Sequence, residues 1–497
     1  MKEKNLKYFL LPWIKNIPKK NIKNLVLDSR KLTSQDIFIA VKGRKKDGHD
    51  FIFEAISKKV AAVLSETMKK KQHGEIKYIN NIPIISFFQL SKELANLSEK
   101  FYKKPSSKLK VIGITGTNGK TTITQLINQW SELLGNKIAT MGTLGNGFYE
   151  SLKPTSNTTS SIVDIQSFLY SVLNKVQLVT MEVSSHGLVE NRVRKVFFYA
   201  AIFTNLTRDH LDYHKNMKNY ELAKLSLFTR HKVQKIILNA NDKYAKSWLK
   251  NFSNKYTIAV TIQDDQQKKY ATKWINAIDI EFINEQTNIK FESSWGNGIL
   301  STYLIGKFNI ENILLALACM LELKHKLSDL IKTSIQLQPI HGRMQKFNVI
   351  GYPICIIDYA HTPDALEKAL NAIKLRYATK KIWCIFGCGG ERDKKKRPLM
   401  GKIAEKIADQ IVITNDNPRN ENQNQIIQDI IKGCIRKEKI ITIKNRKKAI
   451  SYIFFRAKIN DIIFIAGKGH ENYQIIGNKH IYHSDQEIVL NLLEQTT

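Results

Sequence analysis

The sequence predicts an α/β protein of three domains with parallel-rich sheets, and three observations predict it. The chain has 497 residues, which fits about three domains of ordinary size. Residues 111–122 read Val-Ile-Gly-Ile-Thr-Gly-Thr-Asn-Gly-Lys-Thr-Thr, an apolar strand entering a glycine-rich turn, a lysine and two hydroxyl residues that open a helix. Beyond Pro339, strands Ile354–Asp358, Ile382–Phe386, 411–414 and Ile462–Ala466 alternate with helices starting at Pro363, near Leu399 and near Ile426. Such alternation makes a parallel sheet with helices on both faces.

In chain order, residues 1–104 mix short strands and helices and form a smaller N-terminal domain. Lysines at the N-terminus precede only the apolar patch 8–11, which Pro12 stops, so no signal peptide is expected. Tyr102-Lys-Lys-Pro-Ser-Ser107 reads as a linker. Residues 105–337 form the second domain around the phosphate loop, and 338–497 the third.

The strict P-loop spacing would place glycine where this chain has Ile114; its glycines are Gly113, Gly116 and Gly119. The physical logic holds in this variant. Backbone N–H groups and a helix N-terminus face the anion, Lys120 reaches the outer phosphates and a hydroxyl holds Mg²⁺. The competing reading is a chance glycine-rich turn.

Strand 178–181 runs into Glu182-Val-Ser-Ser-His186, and strand 200–203 into Thr204-Asn-Leu-Thr-Arg-Asp-His210-Leu-Asp-Tyr-His214. Ligands of open α/β sheets sit at the carboxyl ends of strands. Glu182 and His210 are candidate Mg²⁺ ligands, carboxylate suiting that ion better than imidazole. Helix caps and turn chemistry account for the same residues equally well from spacing alone. Lys224 falls on a helical pattern and by itself reads as a surface lysine.

Four segments of the third domain follow apolar strands: Asp358-Tyr-Ala-His-Thr-Pro-Asp364, residues 386–398, Asp416-Asn-Pro-Arg419 and Ala466-Gly-Lys-Gly-His-Glu471. Simple connections can be glycine-rich too. Four that carry Arg, Asp, His and Glu point to one convergent polar crevice.

Composition limits the partners. The net charge of +34 invites a nucleic-acid reading. Lys, Ile and Asn are abundant throughout, however, and the basic clusters 69–71 and 446–448 are short. A solvated surface that also attracts anionic substrates fits better, so no nucleic acid is expected. No apolar run approaches the ~20 residues needed to cross a bilayer; the longest is 313–321, so no membrane insertion is expected. Cys319, Cys355, Cys384, Cys388 and Cys434 are scattered in mostly apolar runs, as buried thiols of a cytoplasmic protein would be.

Together, Gly-Thr-Asn-Gly-Lys-Thr-Thr122, Met-Glu-Val-Ser-Ser-His-Gly187, the 204–214 segment, His-Gly-Arg-Met344, Asp-Tyr-Ala-His-Thr-Pro363 and Asp-Asn-Pro-Arg419 resemble the Mur ligases. The resemblance spans nearly the whole chain. It implies an N-terminal domain for a uridine nucleotide, a central ATPase and a C-terminal Rossmann-like domain. The implied reaction joins meso-2,6-diaminopimelate to the D-glutamate γ-carboxylate of UDP-N-acetylmuramoyl-L-alanyl-D-glutamate, using ATP and Mg²⁺ and passing through an acyl phosphate. A monomer is expected.

Residue roles carry over position by position. The resemblance implies ATP contacts at Gly116, Thr117, Asn118, Gly119, Lys120, Thr121, Thr122, Asn309, Asn312, Arg343 and Asp358. It implies metal ligation by Thr121, Glu182, His210 and Lys224, the last as a carbamate, with Lys120, Lys224, His210 and Glu182 serving catalysis. The muropeptide set is Leu27, Ser29, Arg44, Lys45, Lys46, Asn157, Thr158, Thr159, Ser184, Glu190 and Arg192. Position 190 departs from the family pattern, which leads us to expect glutamine, and sets a negative charge near an anionic substrate. The diaminopimelate set is Arg392, Asp416, Asn417, Pro418, Arg419, Gly467 and Glu471. A guanidinium fork for the distal carboxylate and an acidic residue for its ammonium suit diaminopimelate better than lysine.

Three alternatives stand beside this reading. A lysine-adding member would be expected to lack arginine in Asp-Asn-Pro-Arg. A folylpolyglutamate synthetase should lack the uridine-nucleotide domain. A nucleic-acid-dependent P-loop ATPase is suggested by charge alone.

Overall fold

The structure is a computed structural model, described here for residues 4–43, 46–252, 254–262 and 266–494. By internal contacts the chain forms two compact units: residues 1–112, 137–199 and 226–233, and residues 113–136, 200–225 and 234–497.

In the first unit, five strands lie in the order Leu25–Val26, Ile37–Ala40, Ala62–Thr67, Ile82–Phe88, Ile76–Ile79, parallel except for the last pairing. Ile37–Ala40 is entirely buried, which is why it reads as an unbroken apolar run rather than an alternating one. Helix Leu90–Phe101 buries Leu90, Leu94, Leu97 and Phe101, one face of a 3.6-residue period. The expected linker 102–107 is instead packed. Pro105 opens a 3₁₀ turn, Pro105 and Ser106 are buried, and the Tyr102 hydroxyl accepts from Leu25 N at 3.3 Å. A polar composition concealed two side chains that satisfy backbone donors, since Ser106 Oγ accepts from Phe197 N at 3.1 Å.

The same unit holds the hairpin Gly145–Phe148/Ser151–Lys153 and the strands Ile138–Gly142 and Leu178–Glu182, the last two parallel. Leu178–Glu182 is buried along its length and delivers Glu182 at its carboxyl end.

In the second unit, helix Lys120–Leu133 starts directly after Gly119, whose φ is +85°. Strand Lys232–Asn239, which enters this unit at Gln234, pairs in parallel with Thr257–Ile262 and that with Lys273–Ile283, followed by antiparallel Gln286–Ser293 and Gly298–Thr302. A six-stranded sheet has the order Gln345–Phe347, Ile354–Asp358, Ile462–Ala466, Ile382–Phe386, Gln410–Ile413, Ile440–Thr442, parallel except at its first edge. Its two faces have separate cores. Ile354 and Ile356 pack with Leu366, Met400 and Ile426, while Cys355 and Ile357 pack with Ile450, Ile453 and Val489. Helices on both faces leave the strand ends as the open edge, and all four predicted polar segments lie there. All five cysteines are buried and free.

Candidate functional site

The phosphate loop is folded onto the 204–210 segment of the second unit. Gly116 is required by contact: a Cβ there would lie 1.7 Å from Thr204 Oγ1. Thr117 N donates to Asn205 O at 2.9 Å, Thr207 N to Thr117 Oγ1 at 3.0 Å, and Asn118 N to Asn205 Oδ1 at 3.0 Å. Lys120 Nζ curls back to the carbonyls of Gly116 and Thr117, both at 2.9 Å.

Lys224 is the main departure from the residue-level reading. It is 1% exposed, and its Nζ donates to Gly116 O at 2.7 Å. Burial, and then the nearby Lys120 charge, push its pKa well below that of an ordinary lysine. A helical pattern shows the face a side chain leaves from, not whether another loop covers it.

His210 has φ +53° and caps helix Leu211–His214; its Nε2 lies 3.3 Å from Asp209 Oδ2. Burial pushes the Asp209 pKa up, but His210 and His361, with Lys396, outweigh it and hold the carboxyl well below its usual range. Arg343 Nη2 donates to Thr121 Oγ1 at 3.3 Å, its guanidinium lies 4.3 Å from the Tyr359 ring centre, and its buried Nε has no hydrogen-bond partner among the described residues. Asn312 Nδ2 donates to Asn309 Oδ1 at 3.1 Å, and Asn312 Oδ1 faces Gly119, where a Cβ would stand 2.6 Å away. Asp358 accepts from Met344 N and Ala360 N, both at 2.7 Å, so its carboxylate shapes the turn that carries Arg343. Thr121 and Thr122 are buried in the first turn of helix Lys120–Leu133.

At the strand ends of the six-stranded sheet, Glu471 is the hub. Its Oε2 accepts from Asn417 Nδ2 at 3.0 Å and Lys468 Nζ at 2.8 Å, and its Oε1 from Tyr359 Oη at 3.2 Å. Arg419 has φ +53°, and its Nη1 donates to Gly390 O at 2.8 Å and Asn417 O at 3.3 Å. Burial, then Arg392, lower the Arg419 pKa. Arg419 is half-buried and Arg392 exposed, and two neighbouring guanidiniums favour an anion between them. A Cβ on Gly467 would lie 2.8 Å from Asp416 Oδ2, and the Pro418 carbonyl packs where Gly390 has no side chain. Sequence reasoning missed Lys468 and Tyr359, although both lie inside the quoted motifs. A lysine that is 0% exposed leaves no mark in the sequence.

In the first unit, Glu182 is 1% exposed and accepts from Thr143 N at 3.0 Å and Thr143 Oγ1 at 2.9 Å. Thr158 Oγ1 lies 3.2 Å from the same Thr143 hydroxyl. Thr159 Oγ1 donates to Glu182 O at 2.9 Å, and Ser184 Oγ caps Gly187 N at 3.1 Å. The charge of Glu190 is answered locally: Arg192 Nε and Nη2 reach its Oε2 at 2.9 and 2.5 Å, while Arg192 Nη1 reaches Thr159 O at 2.7 Å. Asn157 is exposed and donates to Ser156 Oγ at 3.2 Å. Ser29 Oγ donates to Glu54 Oε2 at 2.8 Å, beside half-buried Leu27. Lys46 is exposed, with its Nζ 5.5 Å from the Phe51 ring centre. Arg44 and Lys45 lie outside the described residues.

The chain matches the family models for the Mur ligase family, catalytic domain, over residues 21–102, the Mur ligase middle domain over 114–320 and the Mur ligase, glutamate ligase domain, over 342–469. It is 70% identical over 496 residues, 100% of each chain, to the UDP-N-acetylmuramoyl-L-alanyl-D-glutamate–2,6-diaminopimelate ligase of Buchnera aphidicola subsp. Schizaphis graminum (strain Sg). A solved structure of a ligase of that name has a TM-score of 0.67 at 29% identity, covering 99% of each chain. MurF ligase from Thermotoga maritima in complex with ADP is alike in fold, with a TM-score of 0.66 at 18% identity over 95% of this chain and 97% of its own. The chain belongs to the Mur ligase family.

Proposed function

We infer that this chain is the ATP-dependent ligase that adds meso-2,6-diaminopimelate to UDP-N-acetylmuramoyl-L-alanyl-D-glutamate in peptidoglycan precursor synthesis. The observation that carries this reading is full-length identity of 70% to a ligase of that name. Three consecutive domains, 1–104, 105–337 and 338–497, serve the uridine nucleotide, ATP and the incoming amino acid. The protein acts as a cytoplasmic monomer; among the described residues no helix is long and apolar enough to cross a membrane.

An ordinary carboxylate does not react with an amine at neutral pH, so a leaving group must be made. A γ-carboxylate oxygen attacks the terminal phosphorus of ATP and ADP departs. The diaminopimelate amine then attacks the acyl carbon, and phosphate leaves a tetrahedral intermediate. Lys120 and the loop N–H groups balance charge on the transferring group, and Arg343, with its orphaned Nε, adds a guanidinium beside Thr121. Asn309 and Asn312 supply amide edges for the base.

The proposed donors are of types that Mg²⁺ accepts: in the second unit Thr121 offers a hydroxyl and His210 an imidazole, and a carbamate on Lys224 would add anionic oxygen, while in the first unit Glu182 offers a carboxylate. The lowered pKa of buried Lys224 favours the neutral amine, which is the form that attacks CO₂; the N–C bond forms and the amine proton goes to water. When bound, Mg²⁺ neutralises phosphate charge.

Leu27, Ser29, the 44–46 stretch, Asn157, Thr158, Thr159, Ser184 and Arg192 take the muropeptide, with Glu190 holding Arg192. Arg392 and Arg419 take the distal carboxylate of diaminopimelate, and Glu471 with Asn417 and Asp416 its ammonium. Incubating the enzyme with muropeptide, ATP and Mg²⁺ tests this reading, with either diaminopimelate or lysine as acceptor. Product with diaminopimelate and little with lysine is expected; preference for lysine would move the chain to the lysine-adding members.

A further inference from the structure

Within the second unit, one ion pair joins two loops that answer to different ligands. Arg208 Nε and Nη2 donate to Asp393 Oδ2 and Oδ1 at 2.9 and 3.2 Å, a two-point fork that fixes orientation as well as distance. The Asp393 side chain is 8% exposed and that of Arg208 36%. On one side, Thr207 is bonded to Thr117 of the phosphate loop, so Arg208 leaves from backbone seated on that loop. On the other, Asp393 directly follows Arg392, and its Oδ1 also accepts from Lys395 N at 3.0 Å. The carboxylate thus fixes the turn that presents Arg392.

The carboxylate of this pair is buried and its guanidinium partly exposed, and it is not alone in joining distant segments to the phosphate loop: Arg343 bonds Thr121 and Asn118 bonds Asp364 at 3.2 Å. We propose that Arg208 and Asp393 are a positioning pair that sets Arg392 for the amino-acid carboxylate when residues 204–210 are seated on the phosphate loop. The inference rests on the function inferred above, since it takes the phosphate loop as the ATP site and Arg392 as an amino-acid contact.

The test uses the full-length enzyme with muropeptide, ATP and diaminopimelate. Arg208→Ala and Asp393→Asn should each raise the KM for diaminopimelate roughly tenfold or more, the size of a lost charged hydrogen bond. Each should leave the KM for ATP within about twofold, with at most a small fall in melting temperature. The double variant Arg208→Ala/Asp393→Asn should be no worse than either single change, because the pair is already broken. A diaminopimelate KM unchanged within twofold overturns the proposal. So do additive losses in the double variant. A defect confined to the KM for ATP overturns it as well, because Arg208 would then be a phosphate ligand. A wild type that makes no product with diaminopimelate overturns the functional reading and the pair with it, whereas a working wild type with indifferent variants overturns the pair alone.

Discussion

Replacing Arg419 with alanine removes a guanidinium that does two things, and their sizes differ. Its Nη1 holds the loop through Gly390 O and Asn417 O; in the function proposed here the guanidinium also takes the distal carboxylate of diaminopimelate. Truncating one partner of a buried charged pair costs about 2–5 kcal/mol. Arg419 is half-buried, and Arg392 close by can still hold the anion. Both facts place the loss near the lower end, about 2–3 kcal/mol or roughly 30- to 150-fold in binding. The assay is steady-state ligation with each substrate varied in turn. The KM for diaminopimelate should rise by that factor, those for ATP and muropeptide should move much less, and any residual use of lysine should change little. Arg419→Lys should fall between, keeping the charge and losing the fork. Equal weakening toward both amino acids would refute the reasoning, because the residue would then hold the loop rather than read the substrate.

Lys120→Ala should abolish ligation while circular dichroism and melting stay near wild type, since the partly exposed side chain contacts carbonyls of its own loop; near-normal turnover would remove the ATP assignment. Lys224→Ala should collapse activity, with short-chain carboxylic acids restoring a little by occupying the vacated space; unchanged activity at limiting Mg²⁺ would argue against a carbamate ligand. Glu190→Gln should leave the muropeptide KM within about threefold, because the amide oxygen still accepts from Arg192, whereas Glu190→Ala should raise it. Arg397 holds the Glu421 pKa down to about 2. Its folded pKa lies below the unfolded one, so its contribution to stability is present above roughly pH 4.5 and is lost as pH falls towards 2. The melting temperature of Glu421→Gln should therefore fall less steeply with acid over that window; an unchanged slope would contradict it.

The sequence foretold the elements with strong periodicity and the loops with strong chemistry. Ile354–Asp358, Ile382–Phe386 and Ile462–Ala466 were legible because strands buried on both faces are continuously apolar. The strand expected at 411–414 runs one residue earlier, Gln410–Ile413, because a polar residue can open a strand in a parallel sheet. Position 190 looked anomalous in sequence, and its explanation lies two residues away in the Arg192 fork, which residue identities alone do not orient. Lys224, Lys468 and the Arg208–Asp393 pair were illegible for a common reason: their roles depend on contacts between segments far apart in sequence, and local periodicity carries none of that.

The central claim is that a carboxylate is activated by phosphorylation and then captured by diaminopimelate. It is tested most directly with muropeptide carrying ¹⁸O in both oxygens of the D-glutamate γ-carboxylate. Mass spectrometry of the products with ATP, Mg²⁺ and diaminopimelate should find one ¹⁸O in the released phosphate and one in the new amide. Phosphate free of ¹⁸O, with ligation proceeding, would contradict the acyl phosphate and the account built on it.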